Sequence, residues 1–539
     1  MTASVAVALA AADTYVVVLA LTDMMTGVGL GIDALQRATP IISGFLLGYV
    51  AVLPLIGRLA DLLDRQRILL ACLVVFVIGS SITALAVELP VLVSGRLLQG
   101  IGGGGLVPAT LALVADLWPP DRRGTPLGVV GAVQELGSVL GPVLGAAVLA
   151  VSGWRMIFWL NAIAGVVLAA AVLGLGGARP RRPRGIPMVV GLLALVTGAL
   201  TLVAPARLVN GVTLGIPFVP FGDSTSRVLT PLGAVAGGLA IGWLALESPR
   251  WWPLLRQADV LGAVLLGVAL GSVVLTFAAS DPEREVVGPL GYAALPAGGV
   301  ALGLYAWRHR VAADPLVARG VVRGRTGAAL VVSLFAGAAL VAVVVDVPVL
   351  ARLTLSGSET VAAFALVRFL VAVPVGALLG GWSLRRLPEG VVSGGGLVLA
   401  AAGLLVMSRW GQGSLDQPVA TAVLVVVGLG AGLAIAPVNS AALADSPADA
   451  HGMASALVVV TRMVGMVVGL ALLTSIGLRR YYETVAALPD PTDPRALVDA
   501  GLVQVQTVFA GAAVAALLGA LASLGLGLRR RGLTRGRRA

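Results

Sequence analysis

The stretch Gly100-Ile101-Gly102-Gly103-Gly104-Gly105-Leu106-Val107-Pro108 decides the architecture, because the chain carries a second version of it. Asp116 follows the proline by eight residues, and Gly124 follows Asp116 by eight more. Farther on, Gly428-Leu429-Gly430-Ala431-Gly432 leads to Pro437, then to Asp445 eight residues later and on to Gly452. The following segments keep the register: Gly137 and Gly141 correspond to Gly465 and Gly469 at an offset of 328, against 329 for Pro108 and Pro437. Such a repeat predicts two related helix bundles in parallel orientation, able to rock against each other about a shared pathway. Glycines four residues apart, Gly137, Gly141 and Gly145, make a smooth face where another helix approaches closely; Pro142 leaves a carbonyl without its N–H partner and permits a bend.

Composition fixes the solvent of these bundles. Of 539 residues, 58% are hydrophobic and 12% charged, with a mean hydropathy of +1.00, which excludes a water-soluble globular domain. A bilayer core about 30 Å thick needs roughly 20 apolar residues per helix, and such runs recur along almost the whole chain. The fold class expected is an all-α polytopic membrane protein. All 37 basic residues are arginines, set in short loops between apolar runs, a membrane-topology pattern that argues against a nucleic-acid partner. The lone Cys72 and the isolated His309 and His451 offer neither a disulfide framework nor a metal site. Without lysine there is no phosphate-binding G-x-x-x-x-G-K-[ST] loop, and no cofactor is expected.

The apolar runs order as six, four and six. Residues 1–178 hold the first six, 179–325 a linker region with four apolar segments at about 186–206, 228–247, 258–278 and 287–307, and 326–528 the last six. A basic tail, 529–539, stops the last helix. The reading is 16 spans, with 14 as the alternative if the insertion at 186–250 is re-entrant or lies on the membrane surface. Placing the N-terminus in the cytoplasm puts most arginines in inner loops and both termini inside a plasma membrane. Met1 precedes the embedded Asp13 by only twelve residues with no basic residue between, so the true start is expected upstream.

Several motifs carry a family resemblance. Gly57-Arg58-Leu59-Ala60-Asp61 with Arg65 and Arg67 resembles the major facilitator loop signature between helices 2 and 3. Arg96-Leu97-Leu98-Gln99-Gly100 resembles that family's helix 4 arginine motif, and Gly131 through Gly145 with Gly141-Pro142 its helix 5 antiporter motif. Gly153-Trp154-Arg155, Phe158 and Asn161 resemble the start of helix 6 in the drug:proton antiporter branch with extra linker helices. Within that branch, Asp13-Thr14-Tyr15, Gln134-Glu135-Leu136-Gly137, Val345-Asp346-Val347, His451-Gly452 and Thr461-Arg462-Met463 are similar to mycobacterial exporters that work with a lipid-carrying lipoprotein. The resemblance implies a major facilitator fold, export of triacylglyceride or drugs, and a periplasmic lipoprotein partner. It also implies a cytoplasmic gate at Gly57, Asp61, Arg65 and Arg67. Leu62 and Asp64 depart from the signature, standing where it has a basic residue and a glycine.

Charges inside the membrane are the candidate working residues, since each costs roughly 2.5 to 3.5 kcal/mol at mid-bilayer unless paired or wet. Asp13, Arg96, Glu135, Asp346, Arg368 and Arg462 are all flanked by apolar sequence. Glu135 and Arg462 occupy nearly equivalent depths in the two repeats and are expected to pair in one state and part in the other, with Asp13 carrying the proton. One proton moving down about 100 mV and one pH unit releases about 3.7 kcal/mol, enough for a gradient of several hundred-fold. The chain is therefore expected to be a proton-coupled secondary exporter of hydrophobic or lipid-like molecules, in contact with membrane lipids and not an enzyme. The alternative is a drug:proton antiporter for amphiphilic cations, and a membrane enzyme or sensor is the remote one, lacking a nucleophile set or an output domain.

Overall fold

The computed structural model describes residues 2–30, 35–119, 122–175, 185–211, 213–222, 226–278, 291–354, 359–490 and 493–528. The arginine-rich linker 179–184, the basic tail 529–539 and the side chain of Pro142 lie outside the described residues. The first bundle consists of α1 (Thr2–Gly27), α2 (Leu35–Leu62), α3 (Arg65–Leu85), α4 (Leu89–Leu117), α5 (Gly124–Val151) and α6 (Arg155–Leu175). Then come α7 (Gly185–Val203), the single turn α8 (Ala206–Val209), α9 (Pro231–Gln257), α10 (Val260–Ala278) and α11 (Gly291–Val311). The second bundle is α12 (Gly324–Thr354), α13 (Glu359–Ser383), α14 (Glu389–Met407), α15 (Pro418–Ala444), α16 (His451–Ala486) and α17 (Pro494–Ala522). Among the described residues, fourteen helices are long and apolar enough to cross a membrane. α1 and α11 stand outside that set, so the arrangement has sixteen long helices of which fourteen qualify by length and composition.

Several helices outrun their apolar cores. α16 runs on to Ala486 in a polar extension where Arg479 and Arg480 both reach Glu483, at 2.9 and 3.2 Å. α17 begins at Pro494, where Asp493 accepts the Arg495 N–H and caps the first turn. α9 runs to Gln257, taking Pro249 and Pro253 into its interior.

The repeat is visible in how the helices touch. α1 lies along α5, where a side chain on Gly137 or Gly141 would meet the backbone of Ala8 or Ala12. In the second bundle α12 lies along α16 in the same way, with Gly465 against Leu334 and Gly469 against Ala338. α4 and α15 use their glycines alike: Gly100 and Gly104 seat on Phe45 and Tyr49 of α2, Gly428 and Gly432 on Phe369 and Val373 of α13. A bundle without a hydrophobic driving force between helices gains its packing from such close backbone approach.

The bundles meet along two seams, α2 with α16 and α5 with α13. A Cβ on Gly57 would lie 2.7 Å from the Ala456 Cβ and 2.9 Å from the Gly452 carbonyl oxygen; one on Gly124 would lie 2.8 Å from the Gly381 carbonyl oxygen. The two contacts are repeat copies of each other. Both lie toward the end at which α1, α5, α12 and α16 begin, here called the lower end.

The linker helices form two hairpins. α7 and α9 pair with each other and touch the first bundle only lightly, at α3 and where the Arg227 N–H ahead of α9 donates to Glu88 Oε1 (2.5 Å), so they form a peripheral hairpin. α10 packs closely on α2 and α16, and α11 packs on the outer side of α10. Asp259, in the left-handed region at φ 49°, ties this second hairpin down: it accepts from Arg308 Nε (2.9 Å), Gly262 N (3.2 Å) and Leu316 N (3.1 Å). Leu316, Val317 and Val321 are thereby buried against Ala450, Met453, Ala454 and Leu457 at the start of α16.

Candidate functional site: the seam between the bundles

At the lower end, Asp61 at the close of α2 accepts from two free amides in the first turn of α16, Gly452 N at 2.6 Å and Met453 N at 2.9 Å. A carboxylate there satisfies unpaired N–H groups and sits at the positive end of the helix dipole, across the seam from its own bundle. Gly57 lies one turn earlier, where only a glycine lets α2 come this close. Arg65 pairs with Asp116 and donates to the Ala112 carbonyl (3.1 Å), binding α3 to α4. Arg67 is exposed, and its N–H donates to Asp64 Oδ1 at 3.0 Å. Asp64, the departure from the loop signature, is thus the cap of α3.

The companion seam is tied differently. Arg385 occupies the position in the second repeat that Asp61 holds in the first, and its Nε donates to Thr125 Oγ1 at the start of α5 (3.2 Å). One seam is therefore closed by an acid on helix amides, the other by an arginine on a hydroxyl.

Deeper in, Arg462 Nη1 of α16 donates to Glu135 Oε1 of α5 at 3.2 Å. The structure brings together the two charges expected to pair, and it does so between bundles. Beside them lies a narrow cavity of about 40 Å³ lined from both bundles, with Val107, Val130, Val438 and Val459 as apolar walls and Gln134, Asn439 and Arg462 as polar points. Pro108 and Pro437 are buried within α4 and α15, with Gly131 and Ile435 meeting across the seam nearby.

Asp13 and Arg96 pair inside the first bundle, a contact the sequence reading did not anticipate. Arg96 Nη1 donates to Asp13 Oδ2 at 2.6 Å, while Gln99 Nε2 (3.0 Å) and Asn161 Nδ2 (2.5 Å) donate to Oδ1. Gln99 also accepts from Arg96 (2.7 Å) and donates to Ser80 (2.9 Å), and the guanidinium stacks 4.4 Å from the Phe45 ring centroid. Asp13 and Arg96 are each 1% exposed, so the ion pair is dry, and its contacts come from five helices, α1, α2, α3, α4 and α6. The signal for Gln99 was its place one turn from Arg96 on the same helix.

Asp346 and Arg368 are not joined. Arg368 Nη1 donates to the Leu415 carbonyl (3.3 Å), whereas Asp346 is 2% exposed and its Oδ2 has no hydrogen-bond partner among the described residues.

Comparison with known proteins agrees with this architecture. The family model described as Major Facilitator Superfamily matches residues 3–217. A triacylglyceride transporter of Mycobacteroides abscessus is 37% identical over 504 residues, covering 91% of this chain and 84% of that protein. Its counterpart in Mycolicibacterium smegmatis is 35% identical over 550 residues, covering 97% and 86%. Among solved structures, the human organic anion transporter MFSD10 superposes with a TM-score of 0.54 at 16% identity, covering 97% of this chain and 98% of that one. The proton:xylose symporter XylE does so with a TM-score of 0.52 at 14% identity, covering 94% and 93%.

Proposed function

The chain belongs to the Major Facilitator Superfamily, a family of transporters and not of enzymes, and from that premise we propose that it exports lipid-like molecules across the plasma membrane in exchange for protons. The lower end faces the cytoplasm in this reading, with both termini inside, and the conformation is the one closed toward the cell interior.

The observation that carries the reading is the Glu135–Arg462 pair spanning the seam beside the cavity. Two charges from different bundles hold one arrangement of those bundles together, and protonating the glutamate removes the charge–charge attraction and leaves Arg462 unpaired by a carboxylate. A proton arriving at Glu135 therefore favours the bundles parting, and its departure favours closing. Asp13 is the second carboxylate on the path; it gives up its charge only when rocking loosens the Arg96, Gln99 and Asn161 donors. Asp61 holds the closed lower end through α16.

The walls of the cavity are mostly apolar, as the path of a lipid-like cargo requires. Relatives named triacylglyceride transporters, matched over most of both chains, support the same cargo. A periplasmic lipoprotein that accepts the lipid completes the proposal.

The test is flux in inverted vesicles under an imposed pH gradient, with a fluorescent triacylglycerol in one set and ethidium in another. Wild type is expected to move the triacylglycerol, and Asp13→Asn, Glu135→Gln and Arg462→Ala to lose the gradient-driven part. Undiminished flux in all three overturns the charge assignments, and ethidium carried in preference to triacylglycerol replaces the lipid reading with a multidrug one.

A further inference from the structure

Asp346 is the buried acid that the seam does not explain. It lies on the inward stripe of α12, between Ala342, Val343, Val347 and Leu350, all of which are at most 1% exposed. That stripe packs into an apolar cluster with Phe369 of α13, Leu424 of α15 and Val505, Val508 and Phe509 of α17. The repeat does not require an acid here: the α1 residue in the matching register is Ala20, which is fully buried.

The charged groups on the elements around it are occupied or distant. Arg368 of α13 donates to the Leu415 carbonyl, and Arg462 of α16 to Glu135. Glu389 of α14 pairs with Arg325 at the start of α12, and Asp445 after α15 accepts from Arg325 N. On α17, Asp499 accepts from Gln412, and Arg495 lies in the first turn. Arg352 is exposed in the last turn of α12, about 9 Å farther along the axis at 1.5 Å per residue. Arg479 and Arg480, just above the matching height on α16, both donate to Glu483. Among the described residues no cation is in place to neutralise an ionised Asp346, and an isolated carboxylate in such a setting takes up a proton in preference to standing charged.

Pro348 supplies the second half of the argument. It sits inside α12 two residues beyond Asp346, where its ring nitrogen offers no hydrogen to the carbonyl of Val344. Val344 and Asp346 are two residues apart and so about 200° apart around the helix, which turns that carbonyl away from the acid; what the proline adds is a point beside Asp346 at which α12 can bend. Asp346 also lies nearer the upper end of α12 than the lower: eight residues remain to Thr354, about 12 Å, against 22 back to Gly324, about 33 Å.

We propose that Asp346 is a proton-binding site belonging to the second bundle alone, loaded from the upper side while the lower end is closed and emptied once the lower end opens. One O–H bond forms on Asp346 at loading and the same bond breaks on release to water below. The inference rests on the transport reading above and adds a carboxylate that the Asp13 network and the Glu135–Arg462 pair do not contain.

Two measurements on the full chain in proteoliposomes test it. Dicyclohexylcarbodiimide, which adds to protonated carboxyls in apolar surroundings, is expected to mark Asp346 in peptide mass spectra, with labelling that falls as pH rises. Asp346→Asn is expected to cut gradient-driven flux of fluorescent triacylglycerol by more than about tenfold, a modest part of what one coupled proton supports, while passive exchange without a gradient continues and Asp346→Glu restores the driven flux. Absence of the adduct at every pH overturns the proposal, as does driven flux in Asp346→Asn equal to wild type. Flux that follows a sodium gradient at equal pH and is lost in Asp346→Asn overturns it in favour of a cation site. The labelling needs no transport, so it tests Asp346 even if the asparagine variant fails to fold. Wild-type flux indifferent to the pH gradient counts against the transport reading instead.

Discussion

Glu135 Oε1 and Arg462 Nη1 stand 3.2 Å apart across the seam, one on α5 of the first bundle and one on α16 of the second. Their side chains are 11% and 17% exposed, so each would be left as a largely desolvated charge if the other were removed. Breaking a buried pair in this way costs on the order of 3 kcal/mol or more. Glu135→Gln is therefore expected to lower the melting temperature in detergent and to depress driven flux. Exchanging the two residues, Glu135→Arg with Arg462→Glu, is expected to recover most of the stability. Failure of the exchanged variant to exceed both single variants in melting temperature would show that the pair does not tie the bundles.

Asp61 holds α16 by two amides, so its replacement acts on the conformational balance and not on the core. Asparagine keeps one acceptor oxygen but loses the charge facing the helix dipole, worth about 1 kcal/mol, or roughly a fivefold change in the population of the closed lower end. The readout is maleimide labelling of a cysteine placed at Ser455, which is 1% exposed in the closed seam. Labelling of Ser455→Cys is expected to quicken several-fold when Asp61→Asn is added; an unchanged rate would mean the cap does not govern closure.

The repeat makes Gly57 and Gly381 equivalent in contact though not in sequence context. Each meets a glycine of the facing bundle, Gly452 and Gly124, at distances that exclude a side chain. Gly57→Val and Gly381→Val are both expected to bar the lower end from closing and to reduce export to a small fraction of wild type, with folding of each bundle intact. Spin-label distances across the lower end should lengthen in both variants. A shift in one variant only would show that the two seams move independently.

What the sequence disclosed and what it withheld divide along physical lines. The duplicated glycine and proline pattern revealed the two bundles because close helix packing leaves small residues at fixed spacing, and the same offset then put Glu135 and Arg462 at matching depth. The Asp13–Arg96 contact was hidden, since its donors come from α4 and α6 and no sequence period sets the rotation of one helix against another. Asp64 looked like a defect in the loop signature until its carboxylate was seen capping α3. The ends of α16 and α17 could not be read from apolar runs, because they lie in polar sequence that carries the Glu483 ion pairs and the Asp493 cap.

Arg96 offers a stability experiment that separates scaffold from gate. Its guanidinium is 1% exposed and satisfies Asp13 and Gln99 while stacking on Phe45. Arg96→Ala leaves Asp13 uncompensated in a dry bundle, at a cost of about 3 to 5 kcal/mol. Asp13→Asn with Arg96→Met removes both charges, and replacing such a pair by apolar or neutral groups is often near neutral. The double variant is expected to melt close to wild type and the single one well below it; equal melting of the two would mean the pair is not the scaffold of the first bundle.

Asp259 links the linker hairpin to the closing helix, and its loss should therefore be felt at the lower end and not only locally. Its two oxygens hold Arg308, the first turn of α10 and the Leu316 amide together, which presses Leu316, Val317 and Val321 onto the start of α16 where Asp61 caps it. Alanine at 259 removes all three bonds and also places an ordinary side chain at φ 49°, a conformation that aspartate and asparagine tolerate better. Asparagine keeps the backbone fit and its oxygen, but gives up the charge on Arg308. Graded loss is thus expected, alanine greater than asparagine, both in melting temperature and in the protection of Ser455→Cys from maleimide. If Asp259→Ala destabilises the protein yet leaves that protection at the wild-type level, the hairpin is an attachment to the bundle and not a brace for its gate.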